Sequence, residues 1–429
     1  MIKKQLITSI PILILAISLF GCAKTAEKQA VVPIIEQIAE PVEAVDYDAN
    51  TANASDISEV DDDIETAIET DVISDVDNIE APTDTVNIIM VGDMLLHDRI
   101  EEVAKNEDGS YEYDEIFAHT KDMIADADIA IANEEVIIGG SELGVSGYPA
   151  FNAPYEFADE LVKVGFDVIC HGTNHALDKG GRGITNCLNN WEKKYPDVAI
   201  LGIHDSVEDQ QEVYICEKND IKIAILNYTY GTNGIKLPAD MPYGVDYISE
   251  EKVKKDLEFA EENADFTIVC PHWGTEYSLE PDGYQSKWAD IFAQSGADLI
   301  IGTHPHVIEK IDWISRGNCD NDTLCYYSLG NFVNWTSGTG VGVSNRMVGA
   351  MARVTLKREA NGEVIIEKYD ALPLVSHVTS NKNGVTVYPL AEYTDEIASK
   401  NEIVYQASDF SLEYCRALVD KVMGDVAVQ

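Results

Sequence analysis

The stretch ADLIIGTHPHV, residues 297–307, sets a short apolar run directly before Gly302, Thr303, His304, Pro305 and His306. A near-continuous apolar run of this length reads as a strand buried on both faces, and the polar residues after it as the loop beyond its carboxyl end. The same texture recurs from Val86 onward. VNIIMV (86–91) leads into GDMLLHD, ADIAIA (127–132) into NEE, and FDVICHG (166–172) into TNHALDKG. IKIAILNY (221–228) leads into TYG, DFTIVC (265–270) into PHWGTEY, and LCYYSLG (324–330) into NFVNW. Amphipathic stretches lie between several of them, among them YEFADELVKVG, SEEKVKKDLEFAEENA and QSKWADIFAQSGA. Strands alternating with helices predict an α/β domain with a largely parallel sheet. Further on, AMARVTLKREANGEVIIEKYDAL reads as a hairpin turning through ANGE, and DFSLEYCRALVDKVM as a terminal helix. Both are expected to pack onto the main domain, which gives an organisation of 86–336 and 337–429.

In α/β sheets, function gathers in the loops beyond the carboxyl ends of strands. Here those loops carry Asp93, Glu135, Asn174 with His175, His272, and His304 with His306. Turn chemistry accounts for Gly, Pro, Asn, Asp and Ser, but gives no reason for histidine. Four of the nine histidines stand in these loops.

In an extended segment His304 and His306 project to the same side. Two imidazoles there reach one ion, or one holds metal while the other touches substrate. His272 offers a third nitrogen. Asp93, Glu135 and Asn174 offer oxygen. Imidazole with carboxylate and amide oxygen suits zinc, manganese or iron better than magnesium or calcium. The set is large enough for two ions, an arrangement that clamps both oxygens of a phosphoryl displacement. His175 is positioned to protonate a leaving group, and Asp178, three residues on, to orient it.

A formal charge of −46 argues against DNA or RNA as a partner, because phosphate binding needs clustered lysine and arginine. An anionic substrate would need local positive charge, which a bound cation supplies. Residues 1–22 combine a basic start (MIKK), an apolar run and LFGC, and resemble a bacterial lipoprotein signal with Cys22 as the lipidated residue. That places the domain outside the cytoplasm, anchored to the cell membrane. Residues 23–85 hold 18 acidic residues against two lysines and read as a solvated, disordered tether. Cys319 and Cys325 flank a polar turn that a disulfide would close. Cys170 and Cys270 end apolar runs and read as buried thiols.

As an ordered set, GDMLLHDR (92–99), NEE (133–135), TNHALDKG (173–180), HWGTEY (272–277), GTHPHV (302–307) and YSLGNFV (327–333) resemble the CapA family of poly-gamma-glutamate capsule synthesis proteins. That family belongs to the calcineurin-like metallophosphoesterase superfamily. The resemblance implies a two-sheet sandwich flanked by helices, a four-layer αββα fold with metal at one end. It implies a metal shell of Asp93, Glu135, Asn174, His272, His304 and His306, with His175 as acid. Glu276 and Asn331 become substrate-side or supporting groups. It also implies a role in capsule synthesis or export, with capsule synthase membrane subunits as partners and an anionic polymer or phosphoester as substrate. Two departures stand out. The superfamily opens with Asp-x-His, but Leu95 stands two residues after Asp93; His97 takes that place only if the loop curls, and is otherwise a substrate-side or supporting group. Glu135 stands where a bridging aspartate is usual. One or two ions therefore remain open. So do two functions: a metal-dependent hydrolase of phosphoesterase type, or a non-catalytic assembly subunit.

Overall fold

Two sheets hold the chemistry-bearing loops at one end. The first contains β1 (Thr85–Met94), β2 (Ile129–Glu134), β3 (Val168–Cys170), β4 (Ala199–Leu201), β11 (Asn331–Val333), β12 (Val348–Arg358), β13 (Val364–Val378) and β14 (Val385–Pro389). The second contains β5 (Tyr214–Lys218), β6 (Ile221–Thr229), β7 (Phe266–His272), β8 (Leu299–Ile301), β9 (Ile311–Ile314) and β10 (Thr323–Tyr326). This computed structural model describes residues 84–317, 321–379 and 384–428. The lipoprotein-like signal with Cys22, nearly all of the acidic segment, and Cys319 of the expected Cys319–Cys325 pair lie outside those residues. Cys170 and Cys270 are buried free thiols, as expected.

The strand order of the first sheet is β14-β13-β12-β1-β2-β3-β4, with β11 also beside β1. That of the second is β5-β6-β7-β8-β10-β9. The parallel order predicted from the apolar runs is present in β1 to β4 and in β6, β7, β8 and β10. Around it the sheets are antiparallel: β12, β13 and β14 on one, β5 and β9 on the other. The sheets are thus mixed, not largely parallel. The hairpin through 359–363 forms as read, and so does the terminal helix Leu412–Val422. The hairpin does not lie on the domain surface, however. β12 pairs with β1 from Thr85↔Lys357 to Val91↔Met351, so the chain after residue 336 builds three of the eight strands of the first sheet.

Alternation along β6 explains the layering. Ile223 and Ile225 belong to the core shared with the first sheet, where Met90, Ile131 and Val354 also lie. Ala224 and Leu226, pointing the other way, pack with Val253 and Leu257 of the helix Glu250–Asn263 and with Trp288 and Phe292 of the helix Gly283–Gln294. Phe157, Leu161, Ile184 and Trp191, from the helices Tyr155–Val164 and Gly180–Lys194, join the first core. The result is the expected sandwich of two sheets flanked by helices. Among the described residues no helix is long and apolar enough to cross a membrane.

The helix Gly283–Gln294 starts at a capping box. The Asp282 carboxylate accepts from the Tyr284 and Gln285 amides, both at 2.8 Å, and Gln285 Oε1 accepts from the Asp282 amide at 2.9 Å. The same Gln285 donates to Glu309, just past the His304–His306 loop, so this cap also steadies the loop. Asp282→Ala is expected to cost about 1 kcal/mol, read as a lower urea midpoint with unchanged slope. An unchanged midpoint would show that the box carries no stability.

Candidate metal centre

Parallel strands end on the same side, so β1, β2 and β3 deliver Asp93, Glu135 and Asn174 to the place where β7 and β8 deliver His272, His304 and His306. The two sheets are stitched there by Asn227 of β6. Its side chain accepts from the Gly172 amide at 2.6 Å and donates to the Cys270 carbonyl at 2.8 Å. β1 can approach so closely because residue 92 is glycine. A Cβ at that position would stand 2.0 Å from the Gly330 carbonyl oxygen, which accepts from the Asp93 amide at 2.9 Å.

The side chains fall into two groups. Glu135, His272 and His304 bring one donor atom each within 4.8 Å of one another, and so do Asp93, Glu135 and His306. Glu135 is common to both. All five side chains are buried. His272 Nε2 lies 3.7 Å from Glu135 Oε1, and so does His306 Nε2. His306 Nδ1 lies 3.2 Å from Asp93 Oδ2 and 3.1 Å from Asn331 Oδ1. Asn174 Oδ1 stands 2.9 Å from His272 Nε2, beside the first group.

The reading of His304 and His306 as neighbours on one side of an extended segment does not hold. Both have positive φ, 100° and 58°, so the loop is coiled, and each imidazole joins a different group. Positive φ is strained for residues with a Cβ. The His304 amide is held by the Asp93 carboxylate at 3.1 and 3.2 Å, and the Pro305 carbonyl accepts from the Tyr277 amide at 2.7 Å. These bonds offset the strain and aim both rings.

His175 stands beside the groups. Its Nδ1 is 2.6 Å from Asp178 Oδ2 and its Nε2 is 3.9 Å from Glu135 Oε1. Asp178 also accepts from the Phe151 amide at 2.7 Å, and the Phe151 ring stands edge-on to His175. His97 is in neither group. It lines the adjoining cleft with His175, Glu276, Asn331, Tyr277 and Arg346. Glu276 is exposed at the cleft mouth, and Asn331 donates to the backbone carbonyls of His306 and Arg346 at 3.1 and 2.9 Å.

Burial and mutual charge set the protonation of this cluster. Burial and the neighbouring Glu135 push the Asp93 carboxyl up. Burial would raise Glu135 too, but the imidazoles of His306, His272 and His175 hold it below the usual carboxylate range. Burial would lower His306, yet Glu135 and Asp93 push it up to about 10. Burial, with His272 and His306 beside it, keeps His304 neutral. His97 is pushed down to about 4 by burial and by His306. Both Glu135 oxygens and His304 Nδ1 are buried with no hydrogen-bond partner. Orphaned buried polar atoms are costly unless something else satisfies them. Carboxylate and imidazole donors at these spacings fit a divalent transition-metal ion.

Three participants were missed in the sequence. Asn133 donates to Asp93 Oδ1 at 2.9 Å, and Thr303 Oγ1 lies 3.1 Å from His272 Nδ1. Both stood inside the quoted motifs, where a polar residue next to a ligand was the available signal. Arg346 had none.

The family model "Bacterial capsule synthesis protein PGA_cap" matches residues 87–336. The PGA biosynthesis protein CapA of Bacillus subtilis (strain 168) is 30% identical over 280 residues, covering 59% of this chain and 65% of that protein. The capsule biosynthesis protein CapA of Bacillus anthracis is 26% identical over 265 residues, covering 59% of this chain and 61% of that protein. The chain therefore spans less than two thirds of either relative. Among solved structures, Haemophilus influenzae NAD nucleotidase aligns with a TM-score of 0.43 at 12% identity, over 79% of this chain and 59% of that one.

Proposed function

Because the chain belongs to the bacterial capsule synthesis protein PGA_cap family, we propose that it is a lipid-anchored, extracytoplasmic hydrolase acting in capsule synthesis or export. Its substrate is a phosphoester or the amide of an anionic polymer such as poly-gamma-glutamate, and its partners are membrane subunits of a capsule synthase. The observation that carries the hydrolase reading is the pair of buried donor groups sharing Glu135, with a His175–Asp178 pair alongside.

Two ions of manganese, iron or zinc fit these groups. Glu135, His272, His304 and Asn174 would hold one, and Asp93, Glu135 and His306 the other. A bound divalent cation supplies Lewis acidity to a phosphoryl or carbonyl oxygen and makes water a better nucleophile near neutral pH. The protein's own groups do the rest. Asp178 holds His175 by Nδ1, leaving Nε2 facing the cluster to hold a proton and pass it to the departing oxygen or nitrogen. Phe151 limits the ring's rotation and keeps water off one edge. Asn331 orients His306, and Thr303 orients His272.

The test is metal content by mass spectrometry on the full-length chain, with His304→Ala/His306→Ala beside it, followed by a screen of phosphoesters and gamma-glutamyl peptides. One or two equivalents, lost in the double variant, are expected. A folded wild-type chain that takes up no metal on titration would end the hydrolase reading and leave the assembly role. His175→Ala should keep its metal and lose roughly 10²–10⁴-fold in turnover. Turnover within threefold of wild type would remove His175 from the reaction.

A further inference from the structure

The chain carries 76 acidic residues against 30 basic ones, yet some of its arginines have no carboxylate within ion-pair distance among the described residues. Arg346 is such a residue. It is half-buried, and among the described residues no carboxylate lies within ion-pair distance of its guanidinium. Its Nη1 donates to Thr336 at 3.3 Å, and its guanidinium carbon lies 3.7 Å from the centre of the Tyr277 ring. Its Nε is buried with no hydrogen-bond partner. Arg346 lines the cleft beside the buried donor groups together with His175 and His306, and among the described residues it is the one Lys or Arg that lines it.

A buried cationic nitrogen without an acceptor is costly, and evenly spaced guanidinium donors match the paired oxygens of a phosphate or carboxylate. Stacking on Tyr277 fixes the plane of the fork and reduces the entropy lost on binding. The backbone adds a second link, because the Arg346 carbonyl accepts from Asn331, whose Oδ1 meets His306. Arg346 is thereby held at a set position relative to the donor groups.

We infer that Arg346 is the substrate anchor of this cleft, gripping an oxyanion of the substrate, phosphate or carboxylate, between its guanidinium and the buried donor groups. The inference rests on the hydrolase reading above and adds the feature that the substrate presents. Positive charge in the cleft also answers how so acidic a chain would accept an anionic substrate. Arg346 lies beyond residues 87–336, the part matched by the family model. The selectivity it confers therefore belongs to the chain outside that shared segment.

The experiment uses the metal-loaded full-length chain, with metal content measured in every sample. Inorganic phosphate and acetate are titrated by calorimetry into wild type, Arg346→Gln and Arg346→Lys. Arg346→Gln should keep its metal and bind the preferred anion about 10- to 100-fold more weakly, the range expected for losing a charge-assisted pair. Arg346→Lys should be several-fold weaker than wild type, since an ammonium gives neither the fork nor the stacking. Whichever anion depends on residue 346 identifies the source, phosphoester or carboxylate polymer. If Arg346→Gln does not fold, Arg346→Lys decides: binding equal to wild type overturns the anchor. Equal binding by a folded, metal-loaded Arg346→Gln, or no binding of either anion by wild type, overturns it as well. A wild type without metal strikes the hydrolase reading separately, through the metal measurement itself.

Discussion

Glu135→Ala is expected to lose the metal from both donor groups at once. Every other ligand-type side chain in the cluster serves one group, but Glu135 serves both, with Oε1 3.7 Å from His272 Nε2 and 3.7 Å from His306 Nε2. Removing it leaves two imidazoles and a neutral amide oxygen in one place and an imidazole with a carboxylate in the other, with no anionic ligand left in the first and too few donors in the second for tight binding. Metal content should fall to roughly a tenth of wild type or less, well below the effect of removing His304 alone. A second signature separates ligand loss from damage. Metal present at a hundredfold excess over its dissociation constant stabilises the wild type by about 2.7 kcal/mol, and this increment should vanish in the variant. Stoichiometric metal in Glu135→Ala, or thermal stability of the wild type that chelation does not change, would sink the shared-ligand arrangement.

Gly92→Ala is expected to be among the most damaging single methyl groups in the domain. The added carbon would stand 2.0 Å from the Gly330 oxygen and 2.9 Å from its carbonyl carbon. Both obstacles are backbone, and β1 is paired with β2, β11 and β12, so neither side can yield by a rotamer change. Overpacking against side chains typically costs about 1–3 kcal/mol, and a backbone obstacle should reach about 3–5 kcal/mol, a large share of the stability of an ordinary domain. Gly283→Ala is the control. It sits at a helix start with nothing within 4 Å of the new carbon, and should stay within about 0.5 kcal/mol of wild type. Urea unfolding of both variants decides. Gly92→Ala within 1 kcal/mol of wild type would mean that β1 and the Gly330 segment part easily, and that Asp93 is not held as described.

The sequence displayed the strands well because most are buried on both faces, which leaves apolar runs of four to six residues that few loops imitate. VNIIMV, FDVIC and ADLII became β1, β3 and β8. It displayed the hairpin at 348–378 for a local reason too, the turn at ANGE. It did not display the hairpin's partner. Nothing in the pattern of β12 names β1, since pairing across a long separation leaves no local trace. At the site, residue types were legible and backbone was not. His304 and His306 could be singled out as ligand types, but their positive φ values depend on contacts from Asp93 and Tyr277 elsewhere in the chain. Arg346 was invisible for the same reason: its place in the cleft is made by Tyr277, Thr336 and Asn331.

The position of β12 beside β1 has a consequence for the order in which the protein can be made. Asn87 and Thr355 touch across a separation of 268 residues, so the first of the described strands to leave the ribosome waits for one of the last before that edge is closed. Until then VNIIMV is an open apolar edge on an otherwise finished set of strands, the kind of surface that recruits other chains. Synthesis speed and chaperone supply, more than the final stability of the sandwich, should therefore set the yield of folded protein. Truncation at residue 336 would leave that edge open for good.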